Sequence, residues 1–169
     1  MKRHLILVGI SGSGKTTVGR LAAKQLRTGF SDIDELIVAG SGQPVAALFA
    51  REGEAQFRRL ERAAMERVLA APPHLIAPGA GWIAEPGNLE AAGDALLIYL
   101  EIAPAAAAAR LAGDATRPLL AGGDPVARLT GMLKARERWY RKAALTIPAS
   151  GSPDAVAARV AEAGRRLAT

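Results

Sequence analysis

The chain has 169 residues, half of them hydrophobic, 22% charged, and none of them cysteine. That length and balance fit one domain around one core rather than a disordered chain, and they leave no disulfide framework and no thiolate metal site. The formal net charge is +6, but the 22 basic residues are scattered, 11 before position 100 and 11 after it, which argues against a nucleic-acid footprint.

No apolar run reaches the ~18–20 residues that a bilayer span needs. Met1-Lys2-Arg3-His4 leads into an apolar stretch too short for a signal-peptide core, so the expected compartment is the cytoplasm. Leu5–Gly9 is continuously apolar and reads as a buried strand. Gly14 to Leu26 follows with helical spacing, and Phe30–Ile33 is a second short strand. Asp34 to Ala39 is a short helix closed by Gly40, and Pro44 to Arg51 is another. Glu54 to Ala71 is a long helix, ended by Pro72-Pro73.

His74–Ala77 and Leu96–Leu100 are the third and fourth strands. Ala103–Ala112 is a helix opened by Pro104, and Gly113–Asp124 is a loop rich in Gly, Asp and Pro. Asp124 caps a helix running to about Lys142, with Pro125 in its first turn. Leu145–Ile147 is a fifth strand, and a last helix covers Asp154–Leu167. Strands alternating with helices predict an α/β fold: five parallel strands with helices on both faces.

Gly9-Ile10-Ser11-Gly12-Ser13-Gly14-Lys15-Thr16 matches the phosphate-binding pattern G-x-x-x-x-G-K-[ST], between a strand and a helix. Its glycines let successive N–H groups turn toward phosphate oxygens, at the positive end of the following helix. Lys15 is placed to reach the β- and γ-phosphates, and the Thr16 hydroxyl to ligate Mg²⁺. The predicted co-substrate is therefore a nucleoside triphosphate.

Other residues must supply the acceptor. Asp32 and Asp34 stand at the end of the second strand, where an open parallel sheet faces its ligand. They serve a metal and a substrate hydroxyl, or else Asp34 caps the next helix. Arg58 and Glu61 are three residues apart on the long helix, a spacing equally suited to a solvated pair. Gly79-Ala80-Gly81 is a turn directly after the third strand. Arg117 lies in the Gly-rich loop, expected to form a lid over about 112–124. Arg136 and Tyr140 are one helical turn apart.

These pieces, in this order, resemble the shikimate kinase family. The similarity spans roughly Leu5 to Ala163. It rests on the P-loop, Asp32-Ile33-Asp34, Gly53-Glu54-Ala55-Gln56-Phe57-Arg58-Arg59-Leu60-Glu61, Gly79-Ala80-Gly81, Thr116-Arg117-Pro118-Leu119-Leu120 and Arg136-Glu137-Arg138-Trp139-Tyr140. The resemblance implies a three-layer P-loop kinase fold in a single domain, with a substrate-binding region at about 33–61. It implies phosphorylation of shikimate by ATP with Mg²⁺. By the same implication Gly12, Ser13, Gly14, Lys15, Thr16, Thr17, Arg110, Arg117 and Pro153 contact ATP, and Thr16 and Asp32 serve the metal. Asp34, Arg58, Gly79, Ala80, Gly81 and Arg136 contact the acid, Glu61 orients Arg58, and Lys15, Asp34 and Arg117 are the catalytic residues. The expected partners are ATP and a small anionic hydroxy acid, without nucleic acid or membrane, and the expected state is a monomer.

The chain departs from the family pattern in places. Pro78-Gly79-Ala80-Gly81 stands where the family has Thr-Gly-Gly-Gly, Trp82 where a small residue is usual, and Arg138 where proline is usual. Ala80 adds a methyl group at a position that tolerates it poorly if it needs φ > 0. The alternatives are therefore a related kinase for another hydroxy acid or sugar acid, and a binding module without turnover.

Overall fold

The computed structural model describes residues 1–112 and 123–167. Five parallel strands, β1 (Leu5–Val8), β2 (Phe30–Asp32), β3 (Leu75–Ala77), β4 (Leu96–Glu101) and β5 (Leu145–Pro148), form one sheet in the order β2-β3-β1-β4-β5. Leu5, Ile6 and Leu7 are wholly buried, as an unbroken apolar run must be when helices cover both faces of a strand. Because β1 sits between β3 and β4, the chain departs to opposite sides on leaving the sheet centre. A crevice opens at the carboxyl ends of the strands there.

The helices are α1 (Lys15–Leu26), α2 (Ile33–Ser41), α3 (Val45–Leu69), α4 (Asn88–Ala91), α5 (Pro104–Leu111), α6 (Pro125–Tyr140) and α7 (Pro153–Leu167). The two helices expected around residues 44–71 form one run broken at Gly53, whose φ of 77° and ψ of 170° are non-helical. Glycine reaches that left-handed region without the Cβ penalty. Asp124 caps α6 through a 2.9 Å bond from the Val126 amide. In α7 the small and branched residues Val156, Ala157, Val160 and Ala161 are buried in one stripe, and α7 packs against α1.

The sequence reading extended β2 through Ile33 and offered Asp34 as the helix cap. The cap is Asp32, whose carboxylate accepts from the Glu35 amide at 3.2 Å. Asp34 therefore falls in the first turn of α2. Two short elements were not anticipated, a 3₁₀ turn at Trp82–Ala84 and α4. Neither is long enough to show a helical period. Among the described residues no helix is long and apolar enough to cross a membrane.

Candidate active site

A cleft of about 290 Å³ lies at the carboxyl ends of the strands. One wall is the P-loop and the start of α1: Gly12, Gly14, Lys15, Thr16 and Thr17. Arg110, Ala149 and Pro153 line it as well, as do Asp32 beside Thr16, Asp34, and the turn residues Pro78, Gly79 and Ala80. Residues far apart in the chain thus meet in one space. Arg117 and the Thr116–Leu120 segment lie outside the described residues.

The P-loop has the curl that phosphate binding needs. Gly12 and Gly14 have φ of 82° and 90°, and Gly14 precedes α1, whose first residues Lys15, Thr16 and Thr17 line the cleft at the positive end of the helix. The Lys15 ammonium donates to the carbonyls of Gly9 at 2.8 Å and Ile10 at 3.3 Å. Ser13 is wholly buried and does not line the cleft. Arg110 donates to the Ala149 carbonyl at 2.6 Å and to that of Gly12 at 3.5 Å. It ties the P-loop to the segment before Pro153.

Thr16 and Asp32 meet directly. The Thr16 hydroxyl donates to Asp32 Oδ2 at 2.6 Å. A hydroxyl and a carboxylate this close are oxygen donors of the kind Mg²⁺ takes, with its remaining positions left to waters and phosphate oxygens. Among the described residues no group of three or more His, Cys, Asp or Glu stands ready to hold a metal without such help. The residues present therefore fit Mg²⁺ arriving with a nucleotide.

The turn after β3 is backed by a buried ion pair. Arg58 donates from Nη1 to Glu61 at 2.7 Å and from Nη2 to Glu54 at 3.1 Å, and its Nε lies 3.5 Å from Glu85. The Glu61 side chain is 1% exposed and that of Arg58 16%, so the solvated pair suggested by the spacing is in fact buried. Burial pushes the Glu61 carboxyl above its ordinary range, while Arg58 and the Gly79 amide pull it back and the Asp34 charge adds to the rise. Burial works against the Arg58 charge too, but its carboxylate neighbours, Glu61 first, outweigh that and hold the guanidinium above its usual range.

The turn after β3 explains its own glycines. A Cβ on Gly79 would stand 2.5 Å from Glu61 Oε1 and 3.3 Å from Asp34 Oδ1. One on Gly81 would lie 3.0 Å from Arg58 Nη1, and nearer still to Nη2. Gly81 has φ of −88°, so what both positions require is room for charged side chains rather than a left-handed backbone. Among the described non-glycine residues only Arg27 has positive φ. Ala80 is thus accommodated without the strain its methyl raised as a concern.

Trp82 does not plug the cleft. It is 1% exposed within the core. Its amide donates to the Gly79 carbonyl at 3.1 Å, and its own carbonyl accepts from Asn88 Nδ2 at 2.8 Å. The larger side chain supports the turn from beneath.

Arg136 lies one helical turn before Tyr140 on α6, its charge acting on the Tyr140 hydroxyl, and Tyr140 donates to the Ala80 carbonyl of the same turn at 2.7 Å. Arg136 Nη1 is buried with no hydrogen-bond partner among the described residues. Arg58 thus backs the turn at Gly81 and Arg136 by way of Tyr140 and Ala80, while Arg58, Gly81 and Arg136 themselves are not among the residues lining the cleft. Tyr140 and Glu85 were not picked out as parts of this site. The first was legible only as Arg136's neighbour one helical turn on, and the second carries no sequence signal.

Gly81→Ala offers a contained test. The obstructed atoms belong to the end of a long side chain, so the fold should survive while Arg58 moves. The expected result is unchanged nucleotide affinity with a fall of up to about 100-fold in kcat/KM for an acidic acceptor, the cost of displacing a positioning group by about 1 Å. Steady-state kinetics with each substrate varied in turn reads it.

Residues 11–164 match the family model described as shikimate kinase. Shikimate kinase from Gloeobacter violaceus is 42% identical over 154 residues, covering 90% of this chain and 87% of that one. Shikimate kinase from Mycobacterium avium is 39% identical over 144 residues, covering 85% and 82%. The structure of the Acinetobacter baumannii shikimate kinase in complex with shikimate superposes with a TM-score of 0.91 at 31% identity, over 98% of this chain and 93% of that one. With fold, element order and sequence agreeing over nearly its whole length, the chain belongs to the shikimate kinase family.

Proposed function

We propose that this protein transfers the γ-phosphoryl group of ATP to a hydroxyl of shikimate, giving shikimate 3-phosphate and ADP. The observation that carries this reading is that Arg58 and Arg136 both back the Gly79–Gly81 turn, whose Gly79 and Ala80 line the same cleft as Lys15. Two guanidinium groups behind one turn suit a carboxylate that reaches it, and Asp34, which lines the cleft, suits a hydroxyl edge. A small acid bearing neighbouring hydroxyls satisfies both.

In this reading the P-loop amides of Gly12 and Gly14 hold the phosphates, with Thr16 and Thr17 at the start of α1, while Ser13, whose amide donates to the Ile10 carbonyl at 3.1 Å, would first have to release that bond. Lys15 leaves the Gly9 and Ile10 carbonyls for the β- and γ-phosphates. Arg110 and Pro153 border the adenine, and Arg117 contacts the phosphates from the lid segment. Arg58, Arg136 and the Ala80 amide fix the acid. Asp34 orients the hydroxyl and accepts its proton as the oxygen bonds to the γ-phosphorus and the bond to the ADP oxygen breaks. Thr16 and Asp32 would hold Mg²⁺, which when bound neutralises phosphate charge. Phosphoryl transfer gains most from alignment and charge neutralisation, and these residues provide both.

A coupled assay of ADP release with Mg-ATP and shikimate tests the proposal. Shikimate-dependent turnover is the expected result. Turnover only with another hydroxy acid would assign a related kinase, and tight shikimate binding without ADP release would assign a binding module.

A further inference from the structure

We propose that the Tyr140 hydroxyl is a positioning group that joins Arg136 and the Gly79–Gly81 turn into one acid-binding unit, setting affinity for the acceptor and not for the nucleotide. This rests on the acid-acceptor reading above and assigns a role to a residue that does not itself line the cleft.

Tyr140 is the last residue of α6 and is wholly buried. A phenol has one proton to give, and here it is given to the Ala80 carbonyl at 2.7 Å. The same oxygen can then only accept, and the cation beside it is Arg136, one helical turn earlier on α6. A guanidinium has only donors, so the order Arg136, Tyr140, Ala80 runs in one direction. Burial raises the phenol to about 12, with Arg136 acting in the opposite sense, so the donor proton is retained at every working pH.

The anchor is rigid. The Tyr140 ring stacks on Tyr99 with centroids 5.1 Å apart and planes at 13°. Tyr99 lies in β4 and pairs in register with Val8 of the central strand. The end of α6 is thus referenced to the strand that carries the P-loop. At the other end, the captured carbonyl orients a whole peptide plane. The described residues contain no cis peptide bond, so the Gly81 N–H, across the same plane, points away from α6. Arg136 has a buried Nη1 that keeps no partner among the described residues. An unsatisfied buried donor on a cation is costly, and a carboxylate arriving at the turn relieves that cost.

A purely space-filling role would be met equally well by phenylalanine, and that sets the test. Tyr140→Phe keeps the ring and its stack and removes only the hydroxyl. The expected result is a rise of about tenfold in KM for shikimate, with KM for ATP within twofold of wild type and kcat little changed. Tyr99→Phe removes a hydroxyl from the same stack without touching Ala80 or Arg136, and should leave all three constants unchanged. A shikimate KM equal to wild type in Tyr140→Phe would overturn the proposal. So would a parallel rise in both KM values, which would mark a general loss of packing. A second readout uses the wild-type protein: NMR should find the Tyr140 hydroxyl proton protected from exchange and shifted on addition of shikimate, and a rapidly exchanging proton would overturn the proposal without any variant. Wild-type protein inactive on shikimate would remove the acceptor reading instead, so the two failures are distinct.

Discussion

Lys15→Met should lower kcat about 1,000-fold while shikimate binding in the absence of nucleotide stays intact. The ammonium donates to two neutral carbonyls, those of Gly9 and Ile10, and phosphate oxygens, which carry the opposite charge, attract it more strongly than a carbonyl dipole does. In the transition state charge spreads over the transferred group, and a preorganised donor there is worth about 10²–10³ in rate. A full positive charge belongs at the upper end of that range. Methionine has similar length and no charge, and position 15 is only partly buried, so the fold should be retained. Single-turnover measurement of phosphoryl transfer reads the effect. A loss of less than tenfold would remove Lys15 from the chemistry.

The P-loop was legible because its pattern is local: every required residue lies within eight positions, between an unbroken apolar run and a helical period. The order of strands and helices was legible for the same reason. The assignment of Asp32 and Asp34 was not, because either residue caps a helix well. What decides it is the end of β2 at Asp32, one residue earlier than the Phe30–Ile33 strand expected from the sequence. With Asp32 capping α2 and accepting from Thr16, Asp34 is left for the acceptor.

The turn after β3 shows a different limit. Its sequence raised a question about backbone strain at Ala80, whereas the structure places the constraint on the two flanking glycines. The reason is that Glu61 and Arg58 pack against them from α3, a contact between distant parts of the chain that no local pattern encodes. The same holds for the burial of Glu61, since spacing on a helix cannot tell a solvated pair from one sealed under a turn. Tyr140 is the extreme case, because its hydroxyl partner lies 60 residues away.

Arg58→Ala should cost both acceptor binding and stability, and the two losses can be separated. For binding, truncating one partner of a desolvated charge contact costs about 2–5 kcal/mol, so KM for shikimate should rise on the order of 100-fold with KM for ATP nearly unchanged. For stability, the substitution leaves Glu61 with its carboxylate 1% exposed and without its strongest counter-charge. Breaking a buried pair in this way costs about 3–5 kcal/mol, and the lower end applies because Arg58 is itself partly solvated and shared with Glu54 and Glu85. Glu61 is an acid whose folded pKa already lies above its ordinary value of 4.5 because of burial. Its stability contribution is therefore fully present below that value and is lost as pH rises through the folded pKa. Removing Arg58 takes away the main opposing pull and raises the folded pKa further, so Arg58→Ala should be destabilised more at pH 8 than at pH 5. Adding Glu61→Gln removes the buried charge. The double variant should regain much of the lost stability, with a flatter pH profile, and yet keep the weak shikimate binding of the single variant. Thermal melts at the two pH values and acceptor titrations on the three proteins read this out. If the double variant recovered shikimate affinity along with stability, Arg58 would be a packing partner of Glu61 and no part of the acid clamp.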